Sequence, residues 1–315
     1  MRNIDLTALE IFKTVAEQGG ITRAAARLHR VQSNVTTRVK QLEERLGTKL
    51  FLRQHRRLVL SPDGRRLLAY ADRLLRLSSE AEASLRNGTP AGTLQIGALE
   101  STAATRLPPI LSRYHQTYPD VRIELVTGTT GALIAKVVNH EVEAAFVAEP
   151  FTANGLETKA VFSEELVLIA PKGFPTIKTP KDIGHATLIA FATGCSYRRR
   201  LEAWLGAGGV VPERVMEFGS YHAIVLCVAA GAGIAIVPRS VLHLSLGKRH
   251  VRVFALPAAV GRAQTCLVLR PGDQSTALDA LRAELRRENG DLTAHGRYKK
   301  ESPKAAIRNR GLRPT

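Results

Sequence analysis

The alternation of apolar and polar positions is most informative over residues 20–64, GITRAAARLHRVQSNVTTRVKQLEERLGTKLFLRQHRRLVLSPDG. Val35, Val39, Leu42 and Leu46 recur at spacings of four, three and four, which predicts a helix with one apolar face. Plotted at about 100° per residue, Ser33, Thr37 and Lys40 fall opposite that face and Thr36 falls at its flank. Upstream, Thr22 is the expected N-cap of a short helix carrying Ala25, Ala26 and Leu28, and His29 to Val31 form the turn. Small alanines let the two helices approach closely. Downstream, Arg53, His55, Arg56 and Arg57 form a basic loop that leads into a short strand, Leu58-Val59-Leu60. A further helix is expected over residues 5–18, capped by Asp5, striped by Leu6, Leu9, Phe12 and Ala16, and ended by Gly19-Gly20. Together these segments read as a winged helix-turn-helix.

Residues 65–86 are leucine-rich and contain neither Pro nor Gly, so they predict one long helix. Nothing close behind it in sequence covers it. A dimerisation helix is the favoured reading, and a core helix of a larger domain is the alternative. The stretch Asn87-Gly88-Thr89-Pro90-Ala91-Gly92 reads as a hinge. From Thr93 onward strand and helix patterns alternate. Strands are expected at TLQIGA, VRIELVTG, AAFVA, ELVLIAP, ATLIAF, RVMEF, GIAIVP, VRVFAL and QTCLVLR. Helices are expected over residues 101–115, 131–139, 197–205, 223–230 and 275–288. That order predicts an α/β fold with mainly parallel sheets, divided into two subdomains by its size. The tail from Asn289 to Thr315 carries many cations without apolar period and is expected to be disordered.

Charge sharpens this picture. The 315-residue chain has a net charge of +17, and residues 1–87 carry +8 of it, residues 88–281 only +3 and residues 282–315 another +6. A cationic head on a nearly balanced body suits a polyanionic partner. Three scattered cysteines, Cys195, Cys227 and Cys266, give no disulfide framework, and the nine histidines do not pair at metal-ligand spacing. The first residues lack an apolar signal core, and no run of about 18 apolar residues occurs, so a cytoplasmic protein without a membrane partner is expected. Catalysis has little support. Cys195, His222 and Ser101 are the residues an enzyme could use, but no G-x-S-x-G, H-E-x-x-H or phosphate-binding loop is present. A DNA-compacting protein would leave the two-subdomain body unexplained. A solute-binding protein alone would leave the basic head unexplained.

Over residues 3–288 the chain resembles the LysR-type transcriptional regulators. In the head the resemblance rests on Leu9, Phe12, Ala24-Ala25, Leu28, Gln32, Val35, Leu42-Glu43, Leu46-Gly47, Leu50-Phe51, Arg53, Leu60 and Gly64. In the body it rests on Ile96-Gly97, Leu107-Pro108, Tyr118-Pro119, Gly128, Leu133 and VAAGAGIAIVP at 228–238. It implies a winged helix-turn-helix, a linker helix and an α/β effector domain of two subdomains resembling periplasmic binding proteins. It also implies a homotetramer, a dimer of dimers, on double-stranded operator DNA, with RNA polymerase as a further partner. The expected limits are 1–64 for the DNA-binding domain, 65–87 for the linker helix, 88–92 for the hinge and 93–288 for the effector domain. Within the last, one subdomain takes about 93–165 and 265–288, and the other about 166–264. Where the family often has an arginine entering the recognition helix, this chain has Thr37, with Arg38 one position on. The family's common Asp before its third strand is Glu143.

Gln32, Ser33, Thr36, Thr37 and Lys40 are the base-edge candidates, with Lys40 also able to reach phosphate, and Arg53 and Arg56 are the phosphate candidates. A small-molecule effector, with no other cofactor and no metal, is expected between the subdomains near the carboxyl ends of strands. Its candidate contacts are Ser101, Thr102, Thr129, Thr130, Thr193, Ser196, Ser220 and His222. Hydroxyls and free N–H groups at those loops point to an anionic or polar ligand. Simple N-caps are the alternative role for each hydroxyl.

Overall fold

The computed structural model describes residues 4–54, 57–85, 89–272 and 275–298. The head begins with α1 (Leu6–Gln18), whose first turn is capped by Asp5 accepting from Ala8 N at 2.7 Å. α2 (Ile21–Arg27) and α3 (Gln32–Leu46) follow, then a hairpin of β1 (Phe51–Gln54) and β2 (Arg57–Leu60). α4 (Pro62–Leu85) leads away from the head. Val35, Val39 and Leu42 are buried as the four-three spacing requires, and they pack with Leu9, Ile11, Phe12, Val15, Ala24 and Ala25 into the head's core. Phe51 lies against Phe12, ring centroids 5.4 Å apart, and so closes the wing onto that core.

Three local expectations change. The buried stripe of α1 is Ala8, Leu9, Ile11, Phe12 and Val15, while Leu6 is exposed in the first turn. Thr22 is not a cap: Gly20 precedes α2, its carbonyl accepts from Ala24 N, and Thr22 lies inside the helix, exposed. Arg53 and Arg57 are not in a loop but on paired strands, because Phe51 to Gln54 gain their stability from register with Leu60 to Arg57 rather than from any apolar alternation. His55 and Arg56 lie outside the described residues.

One buried carboxylate holds α3 to the wing. Glu43 accepts from Leu50 N at 2.8 Å, Phe51 N at 3.3 Å and Lys49 Nζ at 2.9 Å. The loop is clamped again where Leu50 O accepts from Ser61 N at 2.9 Å. Gly64 approaches so closely that a Cβ there would sit 2.1 Å from Leu50 O, so the start of α4 demands glycine.

The body follows with β3 (Gly92–Ala98), α5 (Glu100–Thr105), α6 (Leu107–Thr117), β4 (Val121–Thr127), α7 (Thr130–Val138), β5 (Ala144–Ala148) and β6 (Glu157–Pro171). Next come β7 (Leu188–Phe191), α8 (Ser196–Ala207), β8 (Val215–Phe218), α9 (Tyr221–Ala229), β9 (Ala235–Pro238) and α10 (Arg239–Leu244). It ends with β10 (Val251–Ala255), α11 (Ala258–Gly261), β11 (Arg262–Leu269) and α12 (Thr276–Tyr298). The single helix expected over 101–115 breaks at Arg106, because Pro108 and Pro109 supply no N–H and suit a helix start.

β6 is the backbone of the body. Its first half pairs with β11 and its second half with β9 and β10, so the sheet order is β10-β6-β11-β5-β3-β4 with β9 on β6. Pairing changes partner at Glu165/Leu166, and the return crossing enters β11 at Arg262, three residues before the limit expected from sequence. The sheets are therefore mixed and not mainly parallel. β3 pairs in parallel with β4 and β5, and β7 with β8, but the two crossing strands run against each other and against their neighbours. α6 and α12 cover one face of the first subdomain around Tyr114, whose hydroxyl donates to Ala277 O at 2.9 Å. The expected disorder does not begin at residue 289. α12 runs to Tyr298, since no proline lies between Thr276 and Pro303 and a helix already packed at Leu281 and Leu285 propagates at little cost. Residues 299–315 lie outside the described residues.

Replacing Glu43 by Ala leaves the buried N–H of Leu50 without its acceptor, and should lower the stability of the head by about 2–3 kcal/mol, read as the head's transition in calorimetry of the full chain. Acid should act through the same residue. Burial pushes the Glu43 carboxyl up, but the Lys49 ammonium and the Leu50 and Phe51 N–H donors outweigh it and hold it below the usual range. The stabilisation is then complete above the unfolded carboxyl's pKa, about 4.3, and is lost as pH falls through the lowered folded value. The head of Glu43→Gln should melt with a shallower pH dependence below about pH 4. An unchanged acid profile would contradict this.

Candidate nucleic-acid interface and effector cleft

The face of α3 opposite its core is open. Gln32, Ser33, Thr37 and Lys40 are exposed and Thr36 is half-buried, with Arg38 exposed beside them. Thr36 Oγ1 donates to Gln32 O at 2.9 Å, so its hydroxyl proton is used within the helix and the methyl and lone pairs remain. Arg53 is exposed on β1, in the wing that Glu43 fixes to α3. Arg56 lies outside the described residues. The polar face and the wing together form one cationic surface that the chain's own body does not cover.

Between the two subdomains lies a narrow cavity of about 10 Å3, open at its mouth and lined by Leu99, Glu100, Gly128, Thr129, Ser196 and Tyr221 among others. The subdomains already touch across it. Ser196 Oγ donates to Ala148 O at 2.8 Å, and Thr130 Oγ1 shares its one proton between Ser196 Oγ at 3.0 Å and Ala148 O at 3.3 Å. Arg199 and Arg200 of α8 add bonds to Pro150 O and Glu149 O at 2.6 and 3.0 Å. Thr129 Oγ1 accepts from Ala132 N at 3.5 Å as the N-cap of α7.

Ser101 and Thr102 are buried behind Glu100, and neither hydroxyl has a hydrogen-bond partner among the described residues. The Tyr197 hydroxyl faces those of Ser101 and Thr265 without a bond of regular geometry. Burial together with the Glu164 charge raises the Tyr197 phenol far above its ordinary range. Thr193 is exposed and does not line the cavity, and Ser220 and His222 stand at its edge, near the Glu100 carboxyl. The cavity thus brings together Thr129 and Ser196 of the expected set, with Thr130 bonded to Ser196.

Sequence reading missed Glu100, Phe191, Tyr197 and Tyr221. Glu100 directly follows a strand end and precedes Ser101, and a carboxylate among hydroxyls was its available signal. The aromatic residues carried none, because Phe191 read as an ordinary strand position and Tyr221 as a loop position between Ser220 and His222. As for catalysis, burial pushes the Cys195 thiol up, which keeps it protonated and unreactive near neutrality. His222 is exposed at the edge. Among the described residues no group of His, Cys, Asp or Glu could hold a metal ion, and no helix is long and apolar enough to cross a membrane.

Known proteins give the same architecture. The family described as "Bacterial regulatory helix-turn-helix protein, lysR family" matches residues 6–65, and "LysR substrate binding domain" matches residues 87–290. The Bacillus subtilis HTH-type transcriptional regulator YusT is 39% identical over 83% of this chain and 88% of its own length. The HTH-type transcriptional regulator GltR of the same organism is 40% identical over 76% of this chain and 81% of its own. Full-length CbnR complexed with its target DNA shares the fold with a TM-score of 0.68 at 21% identity, covering 90% of this chain and 99% of that one. With a winged head, a two-subdomain body behind it and matches to both family models, the chain belongs to the LysR family and is a DNA-binding transcriptional regulator with an effector-type substrate-binding domain, not an enzyme.

Proposed function

We propose that the chain reads a specific operator through Gln32, Ser33, Thr36, Thr37 and Lys40 in the major groove, while Arg53 and Arg56 grip phosphates from the wing. The observation that carries this reading is the exposed polar face of α3 beside a wing locked to it by Glu43. Gln can bond adenine in two places and a Thr methyl can meet a thymine methyl. Thr37 stands where an arginine would take guanine, so operator preference departs from that of relatives with arginine there. The chain works in the cytoplasm as a homotetramer, a dimer of dimers, on an imperfect palindrome. Tyr70, Leu74 and Leu77, exposed at i, i+4 and i+7 of α4, supply an apolar stripe for pairing two heads. A small molecule entering the cavity between the subdomains changes the angle between paired heads through residues 87–92, hence the DNA bend and the contact with RNA polymerase. Of that hinge, Asn87 and Gly88 lie outside the described residues.

The roles separate in binding experiments on duplexes the wild-type chain selects. Gln32→Ala should change base preference at one position. Thr37→Arg should create a preference for guanine of about 1–3 kcal/mol. Arg53→Ala should weaken all duplexes alike and reduce the slope of log affinity against log salt by about one. A shift of base preference in Arg53→Ala would overturn the division of roles.

A further inference from the structure

The cavity between the subdomains carries a charge. The Glu100 side chain lines it, and its Oε2 is shielded from solvent with no hydrogen-bond partner among the described residues. Nor does Glu100 make an ion pair among them, and no lysine or arginine lines this cavity. Burial raises the Glu100 carboxyl above its usual range, against the opposing pull of Tyr221 N–H, His222 and the Ser220 hydroxyl. Glu100 is half-buried, and its shielded Oε2 is the oxygen left for a positive partner.

The rest of the lining has the same sign. Phe191 and Tyr221 form one wall, with ring centroids 4.6 Å apart and planes at 41°. Aromatic faces are electron-rich and attract cations. Ser196 spends its proton on Ala148 O at 2.8 Å and accepts from Thr130 at 3.0 Å, which leaves one lone pair for a ligand's N–H donor. The hydroxyl-lined loops alone suggested an anionic or polar ligand. A carboxylate ligand would here meet a carboxylate and an electron-rich wall, with no lysine or arginine in the lining; Arg198 lines the adjoining pocket and donates to Phe191 O.

We propose that the effector is a small organic cation whose ammonium group lies against Glu100, beside Phe191 and Tyr221. This rests on reading the cavity as the effector site. Its enclosed space of about 10 Å3 admits one water-sized group, so only the ammonium is buried and the rest of the ligand lies in the mouth.

The test uses the full-length chain and three probes of one size, propylammonium, propionate and 1-propanol, at matched ionic strength. Calorimetric titration and the melting temperature are read for the wild type, Glu100→Gln and Phe191→Leu. Propylammonium should stabilise the wild type and the other two should not. Glu100→Gln, which keeps the size of the side chain, should bind propylammonium about tenfold more weakly or worse. Phe191→Leu, which keeps the carboxylate, should bind it several-fold more weakly. Propionate or propanol acting in place of propylammonium would overturn the cationic assignment and leave the cavity as the effector site. Equal propylammonium binding by wild type and Glu100→Gln would also overturn the assignment. No response to any probe would remove both readings.

Discussion

A buried carboxylate makes the head a single reading surface. Glu43 sits on the apolar side of α3 and spends its oxygens on the chain that enters the wing, at Leu50 N, Phe51 N and Lys49 Nζ. Without those bonds α3 and the hairpin would be held by the connecting turn and by the apolar packing of Leu50, Phe51 and Leu58. With them, the polar face of α3 and Arg53 keep a fixed spacing. Groove and phosphate contacts need such spacing, because base edges and backbone must be met together. The same junction is reinforced from the other side by Ser61, whose hydroxyl donates to Lys49 O at 2.6 Å and accepts from Gly64 N at 2.9 Å. Thus α4 starts from the point that anchors the wing, and a turn of α4 moves both.

The body uses a different device. Its two halves share β6, and the crossing at Glu165/Leu166 and the return at Arg262 are where the chain passes between them. Side-chain bonds span the gap on either side of the crossing. Thr130 meets Ser196 on one side, and on another Glu164 joins Arg106 at 2.6 Å to Ser240 at 3.1 Å. A ligand that enters between Thr129 and Ser196 competes with the first of these. From body to head the described route is short: Arg76 of α4 bonds Gln95 Oε1 at 2.8 Å and His140 O at 3.2 Å, and Lys13 of α1 pairs with Asp72 of α4 at 2.7 Å.

Periodicity made much of this fold legible. The burial of Val35, Val39 and Leu42 follows from spacing alone, as do the Asp5 cap and the end of α1 at Gly19. Elements that exist through long-range pairing were not legible. Phe51 to Gln54 and the polar first half of β6, Glu157 to Ser163, show no alternation that marks a strand, and become strands because β2 and β11 lie beside them. The cavity failed to show for a related reason. Glu100 reads as a solvated charge at a helix start, and residues that line the cavity with it, from Phe191 to Tyr221, lie far along the chain. Hydroxyls could be found by position, since loops after parallel strands converge, whereas the sign of the charge they surround could not.

Selection of bound duplexes from a random pool, by the full-length chain and by Glu43→Ala, tests most directly whether a wing fixed to α3 makes the reader. A discrete two-fold motif from the wild type, with its enrichment sharply reduced for Glu43→Ala, is the expected result. Recovery without sequence bias by the wild type, or an undiminished motif from Glu43→Ala, would contradict it.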